Sequence, residues 1–414
     1  MQFFTAILLA VSLVLPTTLA APRPLRQVQR FSGETTGKYI VKFKSGASRK
    51  NFINKHNLKN KVADWDLLNG FAGDFDEATL DELRLIEDVE YIAEDGIMHT
   101  MATVTQTNAP WGLQRISQDA KLTSTSTTAL TYTYKYDSTA GAGVDIYVVD
   151  TGIYTAHSDF GGRASWGASF GGYANSDGNG HGTHCAGTAA GTRYGVAKAA
   201  NLIAVKVLSD AGFVVLVPPP ELLFTNFDIS VSGLNWVLTQ ARASGRPSVV
   251  SMSLGGSTAT ALDNAVTSLT AAGIHVVVAA GNSNTNAANT SPARAPSAIT
   301  VGASAIDDVR SSFSNYGAVV DIFAPGTGIT STWIGSTTAT NNISGTSMAC
   351  VLSLTGYFVT MLATPHVAGL VAYLISKDGN VSPAAMATKL QSLAVKGVLT
   401  SIPSGTVNSL ANNA

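Results

Sequence analysis

Val144-Asp145-Ile146-Tyr147-Val148-Val149, followed at once by Asp150-Thr151-Gly152, is the stretch whose reading decides the fold. It is a nearly continuous run of β-branched and aromatic residues rather than an alternating one. A strand of that kind is expected where helices cover both faces of a parallel sheet. Ile203 to Val207, Ser248 to Met252 and Ile274 to Ala279 repeat the pattern. Between them, Gly233 to Ala243 and Ala261 to Ala272 carry Leu, Val and Ala at helical spacing. Alternation of this kind predicts an α/β fold with a doubly wound, mostly parallel sheet and right-handed crossovers. Functional side chains then belong beyond the carboxyl ends of strands. Asp150, directly after Val149, and Asn282, just past Ala279, stand in such places.

Upstream of this region, residues 21 to about 103 differ in composition. They hold 12 of the 26 basic and 13 of the 27 acidic side chains. Tyr39 to Lys44 and Val89 to Ile92 read as strands and Asp81 to Leu85 as a short helix, so a small, highly charged α+β domain is predicted. At the N-terminus, Phe3 to Leu15 is apolar but too short to span a bilayer, and Thr18-Leu19-Ala20 offers a small-residue cleavage pattern. Residues 1–20 therefore read as a signal peptide and the protein as secreted.

The whole chain has 414 residues, 45% of them hydrophobic, which is enough for one large domain and a smaller one. Its net charge of -1 gives no basic field for nucleic acid. Two cysteines, Cys185 and Cys350, make no disulfide framework, and two free thiols are expected. Ala349 to Ile375 is apolar enough to pass for a membrane span, but Pro365, His366 and several hydroxyls argue against one.

The chemistry comes from three motifs. A serine hydroxyl needs a base to take its proton and an acid to orient that base. Val149-Asp150-Thr151-Gly152-Ile153 supplies a carboxylate at a strand end. Gly178-Asn179-Gly180-His181-Gly182-Thr183-His184-Cys185-Ala186-Gly187 supplies an imidazole at a helix start, and Gly345-Thr346-Ser347-Met348-Ala349 supplies a hydroxyl. Each alone is weak; the order Asp, His, Ser is one of the known triad orders.

Together the motifs resemble those of the subtilisin-like serine proteases, with wording close to the proteinase K-like branch common among secreted fungal enzymes. The resemblance runs from about Gln106-Thr107-Asn108-Ala109-Pro110-Trp111-Gly112-Leu113, similar to a mature N-terminus, to the end of the chain. It implies three parts: a signal peptide (1–20), an inhibitory propeptide (21–103) and a peptidase domain (104–414). It assigns Ser347 as nucleophile, His181 as proton shuttle, Asp150 as the orienting acid and Asn282 as the oxyanion donor. Ser253, Leu254, Gly255, Gly256, Ala279, Ala280 and Gly281 match the walls of the primary specificity pocket, which implies broad cleavage after apolar or aromatic residues. The carbonyls of Pro296 and Ala298 with the carboxylate of Asp321 match a structural calcium site, whose hard oxygen donors suit the ion. Cys185 resembles the free thiol beneath the histidine, and no catalytic metal is implied. His157, His184 and His275 read as structural. Partners would be protein and peptide substrates and the chain's own propeptide, with neither nucleic acid nor membrane, and the protein would be a monomer.

Two places depart from the family pattern. After Asp210-Ala211-Gly212 the chain runs Phe213 to Phe224, with Pro218-Pro219-Pro220 unable to donate ladder hydrogen bonds; about 213–226 is an atypical insert. A second, 350–363, separates Ser347-Met348-Ala349 from Thr364-Pro365-His366-Val367-Ala368-Gly369. As added helix it would lengthen a packed element by about 21 Å. Deleting either insert restores the pattern, so both read as retained intervening sequence; transcripts that all encode them would refute this. The leading expectation is a secreted serine endopeptidase made as an autoprocessed zymogen. The alternative is a catalytically impaired homologue, either a binding protein or a misassembled product. Asn289, Asn342 and Asn380 begin glycosylation sequons, and Asn342 is expected to be unmodified.

Overall fold

The computed structural model describes residues 25–31, 35–58, 62–97, 102–211, 227–345 and 363–414. The signal-peptide stretch, the first insert, all of the second insert but Ala363, Ser347 and Cys350 lie outside the described residues. The chain divides into two compact units, with the break after Gly96.

The smaller unit has a five-stranded sheet in the order Val28–Gln29, Val89–Gly96, Thr35–Phe43, Gly70–Gly73 and Val62–Trp65. Two helices, Arg49–Lys55 and Glu77–Leu85, accompany it. The second is longer than the sequence suggested because Asp76 caps it, accepting from Thr79 N at 2.8 Å. Val41, Phe43, Phe52, Phe71, Leu83 and Ile92 form its core.

The larger unit is built on a nine-stranded sheet. Its strands, in chain order, are β1 (Asp145–Asp150), β2 (Ala164–Ser169), β3 (Asn201–Lys206), β4 (Ser248–Met252), β5 (His275–Ala279), β6 (Ile299–Ser304), β7 (Ile322–Pro325), β8 (Val395–Lys396) and β9 (Ser409–Leu410). They lie side by side as β8-β9-β7-β6-β5-β4-β1-β3-β2, parallel except for the β8–β9 pair. Helices α1 (His181–Ala190) and α4 (Ala363–Asp378) pack on one face; α2 (Phe227–Ser244) and α3 (Thr260–Ala271) pack on the other. A further helix, α5 (Pro383–Leu393), follows α4.

The central strands divide their side chains by parity, as the two-residue repeat of a strand requires. Ile146 and Val148 of β1 join the core beneath α1 and α4, whereas Tyr147 and Val149 join the core beneath α2 and α3. Val277 and Ala279 of β5 take the first face, Val276 and Val278 the second. Both faces are buried, which is why the strands read as continuous apolar runs. The chain leaves β1 toward β3 and β2, then returns to β4 on the other flank, so the topological switch lies between β1 and β4. Among the described residues, no helix is long and apolar enough to cross a membrane. The described part of the apolar tract, Ala363 to Ile375, belongs to α4 and is buried in the core.

Candidate active site

Asp150 has the parity of Ile146 and Val148, so its side chain leaves β1 on the face that carries α1. It is completely buried. Its backbone carbonyl accepts from Val207 N at 2.9 Å and Leu208 N at 3.1 Å, fixing the strand end against the exit of β3. Oδ1 accepts from Thr151 N at 2.7 Å and meets His181 Nδ1 at 2.7 Å. A carboxylate only accepts, so Nδ1 carries the proton and Nε2 is left free to act as base.

His181 is the first residue of α1. Gly180 before it is left-handed (φ 100), and Asn179 Oδ1 accepts from His181 N at 3.1 Å. Gly182 must lack a side chain, because a Cβ there would collide with the carbonyl of Gly152. Burial by itself depresses the imidazole pKa, but the Asp150 carboxylate, together with Cys185, outweighs it and holds His181 well above the ordinary 6.5. Cys185, one turn along the same helix face, places Sγ 3.6 Å from His181 Nε2 and 3.8 Å from Nδ1. Burial pushes this thiol up, so it is a neutral packing partner rather than a thiolate. Asp150, His181 and Cys185 bring ligand atoms within 4.8 Å of one another, in a wholly buried cluster. His184 turns the other way, with Nε2 3.0 Å from the carbonyl of Ile329. Burial, then the neighbouring His181, lowers its pKa to about 3, which keeps it neutral and unable to serve as a base at working pH.

Asn282 follows β5 through Ala280 and a left-handed Gly281 (φ 108), and it is 9% exposed. Asn315 shapes this turn. Its Oδ1 accepts from Ser283 N and Thr285 N, each at 3.0 Å, and its Nδ2 donates to Ala280 O at 2.8 Å. Gly345, two residues before Ser347 in sequence, packs against the amide: a Cβ built on it would stand 3.2 Å from Asn282 Oδ1. The hydroxyl itself falls outside the described residues. Ser253, Leu254, Gly255 and Gly256 continue β4, and Ala279, Ala280 and Gly281 end β5, so the two sets lie side by side at the carboxyl edge of adjacent parallel strands. Gly256 is braced from behind by a reciprocal bridge to Ser291 (2.9 and 3.1 Å).

Asp321 stands just before β7, where its Oδ2 accepts from Thr300 N at 2.7 Å. Burial lifts its carboxyl pKa to about 6. Thr300 is two residues beyond Ala298, so the carboxylate sits next to the 296–298 segment. The Pro296 and Ala298 carbonyls and the Asp321 carboxylate are hard oxygen donors, the type that Ca2+ takes. Half-buried Asn342 donates from Nδ2 to Thr127 O, Gly328 O and Thr330 Oγ1 at 3.0, 3.0 and 2.7 Å.

Sequence reasoning missed the braces. Asp177, Lys206, Asp210 and Asn315 all hold the loops carrying the singled-out residues. The only advance signal was the Asp-Gly-Asn-Gly composition before His181, which marks a turn whose side chains bond their own backbone.

The subtilase family pattern matches residues 141–409, more than half the chain. The chain belongs to the subtilase family. Residues 55–101 of this subtilase match the peptidase inhibitor I9 family, which identifies a propeptide domain. The subtilase is 46% identical to alkaline serine protease ver112 of Corniculantispora psalliotae, over 97% of this chain and 98% of that protein. It is 43% identical to the cuticle-degrading protease of Metarhizium anisopliae, over 98% and 97% respectively. Among solved structures, a cold adapted subtilisin-like serine proteinase matches with a TM-score of 0.63 and 40% identity, covering 74% of this chain and 99% of its own. The subtilase is thus a subtilisin-like serine protease of the proteinase K type.

Proposed function

We propose that the protein is a secreted endopeptidase of broad specificity, made as a zymogen that cuts off its own propeptide near Thr103. Ser347 attacks the peptide carbonyl, His181 carries the proton and Asp150 holds the imidazole in the productive tautomer. Asn282 donates to the oxyanion, an interaction typically worth about 3 kcal/mol of transition-state stabilisation. The observation that carries this reading is the 2.7 Å contact between Asp150 Oδ1 and His181 Nδ1, which leaves the opposite ring nitrogen as a base. The apposition of Gly345 and the Asn282 amide supports it, since it brings the start of the serine motif to the oxyanion donor. The small residues at 253–256 and 279–281 favour an apolar primary pocket. Calcium held by Pro296, Ala298 and Asp321 would cross-brace the start of β6 and β7 without taking part in the reaction.

A serine-directed phosphonate tests the proposal. The full chain should release its propeptide and take up label at Ser347, with labelling abolished in His181→Ala. Absence of both labelling and propeptide release would favour the impaired homologue, a reading motivated by the insert that divides the serine motif.

A further inference from the structure

Asp150 and His181 come from different elements, a strand end and a helix start. Their contact is only as well fixed as the relation between those elements, and displacements near 1 Å cost about a hundredfold in rate. One side chain spans both. Asp177, itself 9% exposed, receives hydrogen bonds on both carboxylate oxygens. Its Oδ1 accepts from Thr151 Oγ1 at 2.9 Å, Asn179 N at 3.1 Å and Gly180 N at 2.9 Å. Its Oδ2 accepts from Thr183 N at 3.0 Å and Thr183 Oγ1 at 2.5 Å. Thr151 is the residue after Asp150, and Gly180 and Thr183 flank His181.

The two threonines extend the brace. Thr151 Oγ1 accepts from Gly182 N at 2.9 Å, and Thr183 Oγ1 accepts from Tyr154 N at 2.9 Å. Helix capping alone would explain the bonds from Gly180 and Thr183. It does not require a bond to Thr151, on the loop that leaves β1. A buried carboxylate is costly unless its oxygens are satisfied, and charge-assisted bonds are short and directional, so this arrangement is stiff. An outer brace runs in parallel. Lys206, 1% exposed, donates to Thr151 O at 2.5 Å and to Asp210 Oδ1 at 2.7 Å, and Asp210 accepts from Gly178 N at 3.1 Å.

We infer that Asp177 is a positioning residue, whose carboxylate locks the exit of β1 to the first turn of α1 and thereby holds Asp150 against His181. The inference rests on the triad proposed above. The ionisable groups around His181 are Asp150 from β1, Asp177 from the preceding loop, and His184 and Cys185 on its own helix.

The test compares the full chain with Asp177→Asn, Thr151→Val and Thr151→Ser, each assayed well below its unfolding temperature. The amide of Asn cannot accept on both sides, so the bonds from Thr183 are lost. In Asp177→Asn, kcat should fall on the order of tenfold to a hundredfold with KM nearly unchanged. The midpoint of kcat against pH should move down, and the low-field proton resonance of His181 Nδ1–H should shift upfield. Thr151→Val should move the same readouts in the same direction, and Thr151→Ser, which keeps the hydroxyl, should restore them. Variants that lose heat stability but retain kcat, midpoint and resonance would overturn the inference. If Asp177→Asn does not fold, Asp177→Ser decides, since it leaves the Thr151–Gly182 and Thr183–Tyr154 bonds in place: an unchanged His181 resonance refutes the inference, and an upfield shift supports it. If the unaltered chain shows the resonance but hydrolyses nothing, the hydrolytic reading fails while the resonance still decides the role of Asp177.

Discussion

His181 must be neutral to take a proton from a hydroxyl. The Asp150 carboxylate favours the charged ring, so the imidazolium persists to higher pH than an unperturbed histidine would allow. kcat/KM should therefore rise with pH through a midpoint above 6.5. Rates on a chromogenic peptide from about pH 5 to pH 10 measure it, and a midpoint at or below the ordinary histidine value would contradict the geometry. Asp150→Asn should lower both midpoint and rate, the latter by the roughly 10⁴-fold that is general for serine-protease triads and not specific to this geometry. The same shift has a stability consequence of opposite sense. A histidine whose folded pKa is raised stabilises the fold fully below its unfolded pKa and stops doing so as pH climbs through the folded one. The residue thus contributes least to stability in the alkaline range where it is active. At this scale Asp150 and His181 were legible because strand end and helix start are local signals. Asp177 was not, because its donors at positions 151 and 183 come together only when β1 and α1 pack.

The element most exposed to error is α4. Its residues from Ala363 to Ile375 are buried among β4, β5, β6 and α1, so the helix has no freedom to slide. The described flanks of the second insert border one turn. Ser344 Oγ accepts from Gly328 N at 2.9 Å, and a Cβ built on Gly326 would stand 3.3 Å from Ala363 Cβ. Flanks that close together need only a short connection. Removing 350–363 leaves Thr346 to Met348 as the link and puts Ala349 in the place of Ala363, an alanine for an alanine before Thr364. The shortened chain should label with phosphonate at least as completely as the full one and unfold at a higher temperature. Labelling confined to the full-length chain would show that the insert belongs to the functional protein. The helices themselves were readable from Leu, Val and Ala spacing. Their boundaries were not: α2 already includes Phe227, six residues before Gly233, and Phe227, Ile229 and Val231 pack against the core beneath it.

For the molecule as a whole, the sheet carries its chemistry at one edge and the proposed calcium site at the start of β6 and β7. Chelation should lower the thermal midpoint of the peptidase unit and hasten self-digestion at elevated temperature, since a bound ion stabilises only the folded state. Asp321→Asn should be less stable in calcium and insensitive to chelator. Equal chelator sensitivity in both proteins would remove Asp321 from the site. The division into a charged unit and a large apolar one was visible in composition, because side-chain charge tracks how much surface a small fold exposes.

The sequence by itself determined the α/β class, the strand that ends at Asp150, the helix that begins at His181 and the family resemblance, since each rests on local periodicity or on short motifs. Only the tertiary structure decided that Asp150 and His181 meet at 2.7 Å, that burial raises the Cys185 thiol pKa, and that Asp177 and Asn315 brace the two loops. Those relations join positions far apart in the chain. Their energies come from burial and hydrogen-bond geometry that exist only after the sheet has closed around them.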